Sequence, residues 1–146
     1  MKLVTSLSFS GQCREAFEFY RSVLGGELRA FPFKEAPPGM PIDGKYDDWL
    51  MHAWLQIGDQ AIMGADMPPE FAPNIGKPKN GFDVTYHSED IAECRRVYAA
   101  LAQGGEARMP FAETFWSPGY GNLIDRFGIP WMINAIPAAD WAPKGV

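Results

Sequence analysis

Few groups in this chain could do acid–base or metal chemistry. His52 and His87 are its two histidines, and imidazole is the side chain that changes charge near neutrality. His52 sits in an alternating run that places His52, Trp54 and Gln56 on one strand face. Met51, Ala53, Leu55 and Ile57 take the other. The apolar face belongs under a helix, which leaves His52 and Trp54 for a cavity. His52 has two readings, a core histidine bonded to a backbone carbonyl or a pocket donor or general base. His87 follows Asp83 on one face of a later strand, so His87, Asp83 and His52 could supply three metal ligands. Asp83, Thr85 and Asn134 are candidate polar anchors, with Asp83 otherwise an exposed strand-edge charge.

Aromatic residues concentrate at Phe115-Trp116-Ser117-Pro118-Gly119-Tyr120-Gly121, on a backbone the glycines make flexible. Rings with polar tips suit a small-molecule pocket. They suit a core or a dimer interface equally well. No Ser-His-Asp order or Cys-His pair carries a nucleophile signature. Cys13 and Cys94, on separate expected helices, read as small buried apolar residues, not a disulfide.

Composition narrows the class. The chain has 146 residues, 47% of them hydrophobic, and a net charge of −5. It is long enough for one domain or two small modules sharing a core. Lys and Arg are scattered, so the basic stripe that nucleic-acid binding needs is missing. No apolar run approaches the roughly 18 residues of a membrane span. With no leader-like start, the expectation is a cytoplasmic chain.

The elements that must position these residues occur twice. Strand-like Leu3 to Phe9 leads to a helical stripe of Cys13, Ala16, Phe17, Tyr20 and Leu24, with Ser10 as the expected N-cap. Gly25-Gly26 ends that helix. A strand Glu27 to Phe33, a long loop over 34–48 and a hairpin about Gly58-Asp59 follow. After proline-rich 66–79, Phe82 to His87 starts the plan again. Ser88 is the expected cap of a helix with Ile91, Cys94, Tyr98 and Leu101 as its stripe, ending at Gly104-Gly105. Strands are expected over Glu106 to Pro110, within Phe115 to Asp125, and over Ile129 to Ile136. Each half reads βαβββ. One helix covers one face of such a sheet, so a concave cavity between the two open faces is expected.

This plan resembles the vicinal oxygen chelate superfamily of glyoxalases, extradiol dioxygenases and bleomycin-resistance proteins, and within it the PhnB-like branch. The residues that carry the resemblance are Phe9 to Gly26, Met51-His52-Ala53 with Ile57-Gly58, Phe115-Trp116, and Asp125-Arg126-Phe127-Gly128 with Trp131. The resemblance implies an α+β fold: two tandem βαβββ modules forming a curved mixed sheet around a cavity. It implies one domain over 1–146, with modules of about 1–66 and 80–137, a linker at 67–79 and a tail at 138–146. PhnB-like proteins often carry a ubiquinone methyltransferase label. The link Phe9-Ser10-Gly11-Gln12 holds one glycine, whereas a Rossmann-type donor site wants a glycine-rich strand-to-helix turn, so methyl transfer is disfavoured.

Metal-using members of the superfamily take ligands from the first and last strands of each half. Superposing the halves pairs Thr5 with Asp83 and Ile62 with Met132. Of these, only Asp83 suits a hard or borderline cation. Two residues further along stand Leu7, Gly64, Thr85 and Asn134, which are no better. The reading is a PhnB-like homodimer without cofactor or the usual metal tetrad. It would bind a small apolar or aromatic molecule in a cup lined by His52, Trp54, Asp83, Thr85, Trp116, Tyr120, Met132 and Asn134. His52 is the best catalytic candidate. The alternative is a metal-dependent lyase, isomerase or dioxygenase with an atypical site. The 34–48 and 66–79 loops are read as lids or as arms around a partner chain. Trp49, Trp141 and the tail would contact that partner.

Overall fold

The structure, a computed structural model, describes residues 1–75 and 79–143. Residues 76–78 of the expected linker and 144–146 of the expected tail lie outside the described residues. The chain divides into two compact units, Met1–Lys77 and Pro78–Val146.

The first unit runs β1 (Thr5–Phe9), α1 (Cys13–Leu24), β2 (Glu27–Pro32), β3 (Leu50–Ile57) and β4 (Gln60–Asp66). Its sheet has the order β1-β4-β3-β2. β1 lies parallel to β4 and the other pairs are antiparallel. α1 buries Cys13, Ala16, Phe17, Tyr20 and Val23 against Leu7, Phe9, Ala53 and Leu55, which are also buried. Burying a Leu- or Phe-sized side chain contributes about 1.5–3 kcal/mol, so this layer fixes the helix to one face. Val23, not Leu24, completes the stripe.

The second unit repeats the order: β5 (Val84–Ser88), α2 (Ile91–Ala102), β6 (Glu106–Ala112), β7 (Tyr120–Ile124) and β8 (Pro130–Ala135). Its sheet is β5-β8-β7-β6, with β5 parallel to β8. α2 buries Cys94, Val97, Tyr98 and Leu101, while Ile91 stays exposed. Leu123, Trp131, Ile133 and Ala135 form the sheet side of this core.

Two caps differ from expectation. Gln12, not Ser10, is the N-cap of α1, and it makes no side-chain cap bond. The buried Asp66 carboxylate at the end of β4 takes that role from a distance, accepting from Gly11 N (2.7 Å) and Cys13 N (3.0 Å). Its other oxygen accepts from Leu50 N at 2.9 Å. In α2 the cap is Asp90, which accepts from Glu93 N at 3.0 Å. Ser88 instead accepts from Asp90 N just ahead of it.

The paired glycines have a steric reason in both halves. A Cβ on Gly26 would drive into the Gln56 carbonyl oxygen, and one on Gly105 into that of Ile124. Each second glycine lets the chain leaving the helix lie directly on the neighbouring strand. Among the described residues no helix is long and apolar enough to cross a membrane.

Candidate functional site: the open sheet faces

Alternation and burial assign the faces. In the second unit Trp131, Ile133 and Ala135 are buried toward α2, so Met132 and Asn134 point the other way. The ladder extends both rows. Thr85 pairs with Met132, which pairs with Asn122, which pairs with Met109. His87 pairs with Asn134, which pairs with Tyr120, which pairs with Ala112. Thr85, Tyr120, Met132 and Asn134 are thereby brought to one surface, and Trp116 joins them through its ring, 5.3 Å from that of Tyr120 in an edge-on contact. Asp83 lies ahead of β5 in coil and is exposed, outside the ladder.

The polar centre of this surface is Asn134. Its Nδ2 lies 3.2 Å from His87 Nδ1. Its Oδ1 is buried and has no hydrogen-bond partner among the described residues. As placed, the amide donates to Nδ1, which puts the ring proton on Nε2. Turning the amide over reverses both roles. Either way a neutral pair leaves two N–H donors and at least one acceptor without a partner in the pair. A buried acceptor left unpaired costs about 1–3 kcal/mol, which a hydrogen-bonding ligand would recover.

The aromatic arm is held, not loose. Ser117 is buried, and its hydroxyl oxygen lies 2.8 Å from the carbonyl oxygens of both Gly119 and Ala135, which share its single proton, and accepts from Gly119 N at 3.1 Å. Ala135 N donates to Gly119 O at 2.7 Å. These bonds fasten residues 117–119 to the end of β8 and set the Trp116–Tyr120 pair beside Asn134. The flexibility expected of this glycine-containing stretch is therefore corrected. Phe115 packs edge-on to Trp116 at 4.7 Å and is itself 77% exposed.

The first unit's open face is furnished differently. Ala53 and Leu55 are buried under α1, which leaves His52 and Trp54 on the opposite face, half-buried. The His52 ring lies between Phe31 and Trp54, each 6.4 Å away, and makes no hydrogen bond among the described residues. It is not a core histidine satisfied by a backbone carbonyl. Trp54 is occupied, donating from Nε1 to Gln56 Oε1 at 2.9 Å, with the Lys2 ammonium 5.3 Å over its ring. Trp49, expected at a partner contact, packs inside this unit, 4.5 Å from Tyr46 and directly over Gly11.

The ladder also corrects the superposition of the halves. Thr5 pairs with Ile62, in phase with Leu7 and Phe9 on the helix-facing side. The open-face row is Ser6 with Met63, then Trp54 and Arg29. Ser6 therefore corresponds to Thr85 and Met63 to Met132, one residue from the expected match. The open-face positions of the first and last strands read Ser6, Ser8, Met63 and Ala65 in one unit and Thr85, His87, Met132 and Asn134 in the other. They offer one imidazole, already engaged with Asn134, and no carboxylate. That donor set does not fit a hard or borderline divalent ion. Among the described residues no group of three or more His, Cys, Asp or Glu side chains could hold a metal. Neither cysteine substitutes as a nucleophile. Both are buried and free, and burial raises both thiols above their ordinary range, with Asp66 adding to the rise at Cys13.

Two mixed sheets of βαβββ plan, each covered by a helix on one side, define the glyoxalase fold. The FosX fosfomycin resistance protein of Listeria monocytogenes shares this fold, with a TM-score of 0.63 at 9% identity over 94% of both chains. Residues 1–134 match the family model described as 3-demethylubiquinone-9 3-methyltransferase, and the chain belongs to this PhnB-like family. It is 34% identical to protein YjdN of Escherichia coli K12 over 93% of this chain and 96% of that one. The crystal structure of protein PA1353 from Pseudomonas aeruginosa matches with a TM-score of 0.82 and 38% identity, over 92% of this chain and 96% of that one. A PhnB protein from Bacillus cereus, described as a putative 3-demethylubiquinone-9 3-methyltransferase, shares the fold at 24% identity with a TM-score of 0.72, over 92% of this chain and 98% of that one.

His87 is the pocket-face residue that sequence reading left off the pocket. Its alternation with Thr85 was the available signal, but only the ladder pairs it with Asn134.

Proposed function

We propose that this protein binds a small aromatic or apolar molecule, without a resident metal, on the open face of its second sheet. Trp116 and Tyr120 form the apolar wall, and Asn134 with His87 forms the anchor. The observation that carries this reading is the buried, unpartnered Asn134 Oδ1 beside an aromatic pair held rigid by Ser117. A planar ligand with a hydroxyl or amide meets both needs, one face to the rings and one donor–acceptor edge to the pair. Thr85 and Met132 extend the floor. Asp83, His52 and Trp54 belong to the wider expectation of a cup, and the same experiments address them.

Methyl transfer is not the reading. The N–H groups where a strand-to-helix loop would receive a donor cofactor, those of Gly11 and Cys13, are taken by Asp66. The proposal includes a homodimer, supported by an exposed phenylalanine on each unit, Phe31 on the first and Phe115 on the second.

Elemental analysis of the purified chain comes first. Stoichiometric nickel, zinc, manganese or iron would overturn the metal-free reading and favour a lyase, isomerase or dioxygenase with an atypical site. A thermal-shift screen of phenols and aromatic amides should then find stabilising ligands, because binding the native state raises apparent stability. Asn134→Ala and Trp116→Ala should abolish those shifts, and shifts that survive both would remove this face from the site. Sedimentation of the full chain as a monomer would remove the dimer.

A further inference from the structure

We propose that the first unit carries a separate site for a neutral, apolar small molecule, on the side of β3 and β4 away from His52 and Trp54. A pocket of about 420 Å³ lies there, walled by Phe33, Met40, Ile42, Met51, Met67 and Phe71. Its size falls within the roughly 300–1,000 Å³ of ligand pockets. Three flexible methionines, Met40, Met51 and Met67, let such a wall adapt to shape.

The lining decides the chemistry of the occupant. Asp66 is its one charged residue, and both its oxygens are spent on Gly11 N, Cys13 N and Leu50 N. Four backbone donors around the wall are spent as well. Phe33 N goes to Trp49 O, Ile42 N to Met40 O, Met67 N to Phe9 O and Phe71 N to Pro68 O. Pro41 and Pro68, also in the lining, have no N–H to give. A peptide laid here would bring C=O groups that find few donors, and each unpaired group lost from water is unfavourable. An anion would meet the Asp66 carboxylate and no cation. A neutral hydrocarbon or aromatic molecule, held by dispersion and burial alone, loses nothing by entering.

The walls are tied to each other. Tyr46, in a short 3-10 turn over Gly44–Tyr46, donates to Glu70 at 2.9 Å, and Lys45 pairs with the same carboxylate at 3.3 Å. This contact joins the segment that brings Met40 and Ile42 to the segment that brings Met67 and Phe71. The pocket is therefore shaped before a ligand arrives, which lowers the ordering cost of binding.

The test is fluorescence titration of the full-length protein with N-phenyl-1-naphthylamine, a neutral apolar probe. Saturable enhancement is expected. Phe71→Ser and Met40→Ser change rim residues that are 57% and 45% exposed, so neither should unfold the chain. Each should weaken the probe about tenfold when combined with Trp116→Ala, a background in which an aromatic probe can no longer use the second unit's face. Absence of saturable enhancement would overturn the site. So would enhancement lost in Trp116→Ala but kept in Phe71→Ser and Met40→Ser, since the probe would then sit on the second unit. A dimer that Phe71→Ser converts to monomer would show that a second copy of this chain covers the pocket, and would overturn the small-molecule reading. Because the proposed second-unit site is read through Trp116 and this one through Phe71, either can fail alone.

Discussion

The two units share a plan and have diverged on the face the plan leaves open. In the first, the middle row reads Ser6, Met63, Trp54 and Arg29. In the second it reads Thr85, Met132, Asn122 and Met109. A hydroxyl beside a methionine survives in both. Beyond it, one unit has a tryptophan bound to Gln56 under Lys2, and the other an amide oxygen without a partner beside an accessible ring pair. On the first face His52 is also without a hydrogen bond among the described residues but sits between the Phe31 and Trp54 rings, whereas the second face holds a buried acceptor without a partner. A duplicated scaffold can thus keep its core positions while one copy stays free to recognise something.

The units also use a buried aspartate differently. Asp66 and Asp125 are each almost fully buried and each accept at least three N–H groups among the described residues. Asp125 takes Phe127 N, Ile129 N and Trp131 Nε1, all within the turn into β8. Asp66 instead joins the start of α1 and the start of β3 to the end of β4. The largest expected effects come from breaking these clusters. Asp66→Ala and Asp125→Ala should each cost about 3–5 kcal/mol in urea unfolding, because charge-assisted bonds are lost and buried donors are left bare. The Asp125 variant should spare the first unit's amide exchange protection, and the Asp66 variant should not. Equal loss across both units in both variants would break the comparison.

The glycine pairs give the next effect. Gly26→Ala should cost about 2–4 kcal/mol, since the clash with Gln56 O adds to a φ of +93°. Gly105→Ala meets the Ile124 carbonyl without a positive φ and should cost less. The opposite order would show that the two helix exits are not equivalent.

Ligand shifts sharpen the contrast between open faces. Tyr120→Ala and Asn134→Ala should remove stabilisation by a phenol or aromatic amide, while Trp54→Ala should retain it. Loss in Trp54→Ala alone would move the site to the first unit.

The smallest effect is electrostatic. Backbone hydrogen bonding and the Tyr46 hydroxyl hold Glu70 below the usual carboxylate range. A depressed carboxylate contributes stability that is full above its ordinary value and is lost as pH falls through the lowered one. Tyr46 is raised above its ordinary 10.0, chiefly by burial and then by Glu70, so its share is lost only as pH rises beyond that value. Glu70→Gln should flatten the acid side of the stability profile by lowering neutral stability slightly while leaving acid stability unchanged. A profile unchanged down to the acid limb would show that the latch contributes nothing.

The repeat was legible because its signals are local. Gly25-Gly26 and Gly104-Gly105 close helices, Gly58 turns a hairpin, and apolar stripes mark one face of each helix. The aromatic stretch at 115–121 and the face holding His52 and Trp54 were legible too. The superposition of the halves failed by one residue, and with side chains alternating every residue that slip exchanges faces, placing Thr5 and Ile62 where Ser6 and Met63 belong. The caps failed for a related reason. Ser10 is a sound local candidate, but Asp66 reaches the helix start from 53 residues away at Cys13, and no local rule sees that.

The sequence by itself determined the doubled βαβββ plan, the helix stripes and the family, because periodicity, glycine placement and turn chemistry act over a few neighbouring residues. Tertiary structure alone decided which residues meet. Strand register is set by pairing between distant segments, so the His87–Asn134 pair, the spent Asp66 carboxylate and the apolar pocket beside it exist only once those segments are in contact.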